Sequence, residues 1–146
     1  MAQRVRGGFA LIASAVLVAA CSSGPATGPI SGTVKEWQIS LSATEIAAGT
    51  ITFNVKNDGD KPHEFVMRKT DLTSDKLPLN SDGEVSEDAP ELTEVGDPSE
   101  LMEFEPGTTQ SLTVTLQPGH YVIFCNLHVE DLLHYQKGMH IDFTVK

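Results

Sequence analysis

Ile51, Phe53 and Val55 alternate with Thr52, Asn54 and Lys56, the period-two pattern of a strand with one buried face. The run stops at Asn57-Asp58-Gly59-Asp60, a strong turn signal, and a second strand is expected from about His63 to Arg68. Trp37, Ile39 and Leu41 alternate with Gln38, Ser40 and Ser42, and Leu112, Val114 and Leu116 alternate with Thr113 and Thr115. Gln117-Pro118-Gly119 turns the chain into Tyr121-Val122-Ile123-Phe124-Cys125. That run is continuously apolar, as a central strand covered on both faces should be. Met139, Ile141, Phe143 and Val145 alternate with His140, Asp142, Thr144 and Lys146 at the end. No convincing helical period interrupts the series from residue 31 onward, so the pattern predicts an all-β domain, an antiparallel β-sandwich or small barrel.

The order weakens between Thr70 and Pro106, a stretch rich in Asp, Glu, Pro and Ser. It reads as a long acidic excursion with one short strand or helix near Leu101 to Phe104, and loops of this length are functional or mobile. Asp82-Gly83-Glu84 lacks the alternating oxygen ligands of an EF-hand loop, so it is a solvated acidic face and not a calcium site.

At 146 residues the chain accommodates one domain. Its 20 acidic against 10 basic residues, a net charge of −10, exclude nucleic acid as a partner, because nothing here would neutralise a row of phosphates. Arg4 and Arg6 precede the apolar run Phe9 to Ala20. That run is too short for a bilayer core needing roughly twenty helical residues, and fits the h-region of a signal peptide. Leu17-Val18-Ala19-Ala20-Cys21 resembles the lipobox of bacterial lipoproteins. The resemblance implies a signal peptide over 1–20, lipidation of Cys21, a flexible tether over 21–30 and the folded domain over 31–146. Losing Arg4 and Arg6 leaves 8 basic against 20 acidic residues, a net charge of −12. Cys125 is then the one thiol left in an exported protein, which asks for an explanation.

The chemistry sits near the C-terminus, where Cys125, His128, His134 and Met139 fall within fifteen residues. Thiolate, imidazole and thioether together select copper, and two His, one Cys and a weak axial Met form a trigonal site for it. A second imidazole has to come from a neighbouring strand, and the upstream histidines are His63 and His120.

Pro62-His63-Glu64-Phe65, Tyr121 to Cys125, and His134-Tyr135-Gln136-Lys137-Gly138-Met139 resemble the cupredoxins, the blue copper protein family. The similarity spans roughly residues 31 to 146, with Thr70 to Pro106 poorly matched. It is nearest to exported, often lipid-anchored members and to the rusticyanin and sulfocyanin branch, where a His-x4-Met spacing recurs. It implies a Greek-key β-sandwich holding one type 1 copper, with His63 and His134 as imidazole ligands, Cys125 as thiolate and Met139 as axial thioether. His128 competes with His134, since Cys125-Asn126-Leu127-His128 reproduces the Cys-x2-His spacing of plastocyanin-like proteins. His134 is preferred because of its relation to Met139, which makes Val129 to Leu133 an insertion in the ligand loop. Glu64 stands where many members carry Asn or Ser; its backbone N–H is still expected to donate to the Cys125 sulfur.

Strand parity puts His140 on the outer face with Asp142, Met139 inward, and Met67 in the core beside Phe65. His120 lies at the far end of its strand from Cys125, some ~13–17 Å away. The resemblance implies a single-electron carrier rather than an enzyme, since the extra histidine clusters of copper oxidases are absent. Electrons are expected to pass through His134 at a rim formed by Leu132 and Leu133, to a cationic redox protein such as a cytochrome or a membrane oxidase domain. The chain is expected to be a monomer, lipid-anchored at the outer face of the cytoplasmic membrane or in the periplasm. A copper storage or delivery protein of the envelope is the alternative, and a cupredoxin-like binding module a third.

Overall fold

The structure is a computed structural model that describes residues 26–96 and 100–146. The expected signal peptide over 1–20, Cys21 and the first half of the expected tether, 21–25, lie outside the described residues. The chain forms β1 (Ile30–Lys35), β2 (Gln38–Leu41), β3 (Glu45–Ile46), β4 (Gly49–Asn57), β5 (His63–Lys69) and β6 (Thr93–Glu94). It continues through β7 (Glu100–Phe104), β8 (Thr109–Leu116), β9 (Gly119–Phe124), β10 (His128–Val129), β11 (Leu132–Leu133) and β12 (His140–Val145).

Two sheets face each other. One has the order β2-β1-β4-β8, the other β3-β12-β9-β5-β6 with β7 on β5. Two pairings, β1 with β4 and β12 with β3, are parallel. The chain changes sheets through β3 between β2 and β4, and a strand rejoining its old sheet after a crossover is free to run parallel. Otherwise the Greek-key sandwich expected from the resemblance is the architecture found.

Ile51, Phe53 and Val55 of β4 point into the core, and their polar neighbours point out. There Thr50 and Thr52 pair hydroxyls with Thr115 and Thr113 of β8. Phe53 packs against Phe65 and Phe143 across the sandwich, with ring centroids 5.7 and 5.5 Å apart. Each such buried ring contributes about 1.5–3 kcal/mol.

The continuously apolar β9 has a specific cause. Tyr121, Ile123 and Cys125 enter the main core, while Val122 and Phe124 enter a second cluster with Val66, Leu77, Val85, Leu92 and Tyr135. The acidic excursion lies on this outer face. Its chain is mostly turns, yet it is anchored. Tyr135 donates its hydroxyl to the Ser74 carbonyl at 2.8 Å and accepts the Leu77 N–H at 3.0 Å. Asn126 accepts the Val85 N–H at 2.7 Å. Asp82-Gly83-Glu84 is a turn closed by Asn80 Oδ1, which accepts the N–H groups of Asp82 and Glu84. Leu101 to Phe104 belong to strand β7. Among the described residues no helix is long and apolar enough to cross a membrane.

Candidate metal centre

Three elements converge at one end of the sandwich. His63 opens β5 at a bulge against β7. Cys125 directly follows β9, and its N–H donates to the Met139 carbonyl at 3.0 Å. After Cys125, β10 and β11 form a tight hairpin whose two turn residues, Glu130 and Asp131, have φ of 51° and 63°, as a type I′ turn requires. The inserted Val129 to Leu133 is therefore a short β-ribbon, with Glu130 and Asp131 exposed at its tip. It delivers His134, whose N–H donates to the Leu127 carbonyl at 2.9 Å, into a 3-10 turn over Tyr135–Lys137. Gly138 closes that turn at φ 106°, a conformation suited to glycine, and Met139 follows with its N–H on the His134 carbonyl at 3.2 Å.

The result is a buried triad. His63, Cys125 and His134 place one ligand atom each within 4.8 Å of one another, and none is solvent-exposed. The two Nδ1 atoms are 3.2 Å apart, and the Cys125 sulfur is 3.3 Å from that of His134 and 3.9 Å from that of His63. The Glu64 N–H donates to the sulfur at 3.3 Å, so the backbone tie expected after the first histidine is present although the side chain is Glu. Met139 is fully buried in the same core cluster as Cys125.

The electrostatics follow from burial. Desolvation pushes the Cys125 thiol up to about 12, against smaller opposing help from backbone donors. Desolvation, then the neighbouring His63, brings His134 down to about 4. His63 is also lowered by burial, with Glu36 opposing. Both imidazoles are thus neutral at pH 7. Their Nε2 atoms are buried without a hydrogen bond; Glu36 Oε1 lies 3.5 Å from that of His63, an electrostatic contact beyond good hydrogen-bond range. Two imidazole Nδ1 atoms and a thiol sulfur converge in the buried interior. This donor set fits a copper ion.

The other histidines are elsewhere. His128 is exposed on β10, 3.8 Å from Glu84. His120 bonds the Thr70 carbonyl and Asp142 at the far end of β9. His140 shares the outer face with Asp142, as parity required, but that face is covered. It is half-buried, 3.1 Å from Ser74 Oγ, with its ring tilted at 45° to that of Tyr135 and the centroids 5.0 Å apart, so it is not a fully exposed surface residue. Met67 is fully buried in the core beside Phe65.

The expected rim needs correction as well. His134 is 0% exposed, so its imidazole does not reach the surface. Trp37 lies over it, ring centroids 5.1 Å apart, and is itself half-buried. Leu132 and Leu133 are half-buried, and Leu133 Cδ1 abuts Gly83 of the excursion so closely that a Cβ there would sit 2.9 Å away. Sequence reasoning placed Trp37 in an inward strand face and gave Glu36 no role. Both form the turn between β1 and β2, and nothing in a period-two pattern reveals that this turn folds over the triad.

No protein-family model and no curated protein matches the chain. Solved structures do. Reduced auracyanin from the photosynthetic bacterium Roseiflexus castenholzii is 21% identical, with a TM-score of 0.56 over 84% of this chain and 99% of that one. Auracyanin B is 18% identical, with a TM-score of 0.53 over 86% and 92%. An azurin from the methylotroph Methylomonas sp. strain J is 15% identical, with a TM-score of 0.52 over 83% and 99%. Auracyanins and azurins are cupredoxins, and the chain has the cupredoxin fold.

Proposed function

We propose that this protein is a type 1 copper electron carrier, in which His63, Cys125 and His134, with Met139 as a weaker fourth ligand, would hold the ion. The convergence of two imidazole Nδ1 atoms and a thiol sulfur in one buried cluster carries the reading. Copper supplies the one-electron Cu(II)/Cu(I) couple. The chain supplies rigidity: the β-ribbon, the 3-10 turn and the backbone bonds of Cys125 and Met139 hold the ligands in one arrangement for both oxidation states. The Glu64 N–H stabilises negative charge on the sulfur, and the buried surroundings exclude water and competing ligands.

Because Trp37 covers His134, electrons enter and leave across the Trp37 face of the molecule. The partner is a redox protein with a cationic surface, such as a cytochrome or a membrane oxidase domain, steered by the net charge of −12. The protein is exported and held at the cell envelope by lipid on Cys21. Mass spectrometry of the membrane-bound form checks this: a diacylglyceryl group on Cys21 as first residue supports it, and a lipid-free soluble product contradicts it.

Voltammetry of the copper-loaded protein tests the carrier reading. A reversible one-electron wave with copper retained in both states is expected. Rapid loss of Cu(I) to an acceptor on reduction favours copper delivery instead.

A further inference from the structure

The turn between β1 and β2 presents two consecutive side chains to the triad, Trp37 to His134 and Glu36 to His63. The Glu36 carboxylate is built in. Its Oε1 accepts the N–H of Asp60 at 2.9 Å and of Lys61 at 2.7 Å while lying 3.5 Å from His63 Nε2. Gly59 closes the cradle, for a Cβ there would meet Oε2 at 2.7 Å. The turn is tied from behind by Asn57, which accepts the Gly59 N–H and donates to the carbonyls of Lys61 and Phe104. The nearby cation, the Lys61 ammonium, is engaged with Glu130 at 2.6 Å. Burial raises the Glu36 carboxyl, but the backbone donors and then His63 outweigh it, and the group lies below its ordinary value. The Glu36 side chain is only 24% exposed and that of His63 0% exposed, so little solvent screens one from the other.

We propose that Glu36 is a positioning residue that sets the reduction potential of the copper site through His63. The inference rests on the copper reading above. With Nδ1 given to the metal, the imidazole proton sits on Nε2 and faces a fixed carboxylate. A metal-bound histidine whose proton faces a carboxylate is held in one tautomer and becomes a more electron-rich ligand. Oxidised copper, the more charged state, gains more from this than reduced copper, so Glu36 holds the potential down.

The test compares Glu36→Gln with Glu130→Gln in copper-loaded protein. Both remove one carboxylate, but only the first faces the imidazole. Glu36→Gln is expected to keep the thiolate-to-copper band and shift the midpoint potential upward, several-fold further than Glu130→Gln does. Equal shifts from the two, with the band retained, overturn the inference and leave the copper reading standing. A parent protein without the band overturns the copper reading, and the inference with it. Proton NMR of the Cu(I) parent needs no folded variant. A His63 Nε2 proton that exchanges slowly is expected, and one that exchanges as fast as a free imidazole N–H overturns the proposal.

Discussion

The indole of Trp37 meets the imidazole of His134 in a T-shaped contact, ring centroids 5.1 Å apart and planes inclined at 73°. This places an aromatic cover where an exposed ligand was expected. Trp37→Ala opens the cavity to water. The half-buried ring gives an expected stability loss of about 1–3 kcal/mol and copper dissociation about tenfold faster. Trp37→Phe keeps most of the cover and is expected to fall between. Stopped-flow removal of copper by a chelator measures this, and equal rates in the Ala variant and the parent contradict it.

Copper uptake should release a proton. The Cys125 thiol, pushed up to about 12 by burial, is fully protonated at pH 7, while His134, lowered to about 4, is already neutral and releases no net proton on binding a metal. Binding therefore liberates about one proton. Titration calorimetry in buffers of different ionisation enthalpy counts it, and a count near zero contradicts a thiolate ligand.

The copper-free protein has a stability optimum set by the same groups. His134 titrates at an ordinary 6.5 when unfolded and about 4 when folded, so its contribution is present above 6.5 and is lost as pH falls toward 4. Cys125 titrates at 9.0 when unfolded and about 12 when folded, so its contribution is present below 9 and is lost as pH rises toward 12. Urea midpoints should fall from about pH 8 to about pH 5. The fall should be shallower in His134→Leu. A slope unchanged by that substitution contradicts the assignment.

Asn126 joins the ligand loop to the excursion. Its Oδ1 accepts the Val85 N–H, and its Nδ2 donates to the Val85 carbonyl and to Glu87. Asn126→Ala leaves the Val85 N–H without that partner, and the expected loss is about 1–3 kcal/mol by denaturant titration. A variant as stable as the parent contradicts this anchoring role.

Much of this was legible in the sequence, for identifiable reasons. The alternation through Ile51, Phe53 and Val55 marks a half-buried strand because side chains alternate faces, and the unbroken run Tyr121 to Cys125 marks one covered twice. What the pattern could not show was the cover itself, since the excursion over Val122 and Phe124 carries no period of its own. The donors His63, Cys125 and His134 were identifiable from residue type and order only together with the resemblance to cupredoxins, which preferred His134 to His128 through its relation to Met139. Glu36 and Trp37 were not, because their proximity to the triad depends on how one hairpin turn folds back across the sheet end, a tertiary fact with no local signature. The burial of His134 was missed for the same reason.

The most direct test of the central claim is the visible spectrum of the protein after addition of Cu(II), recorded beside those of His134→Ala and His128→Ala. An intense thiolate-to-copper charge-transfer band is expected in the parent and in His128→Ala, and its loss in His134→Ala. No such band in the parent, or a band that survives without His134 and vanishes without His128, would contradict the account.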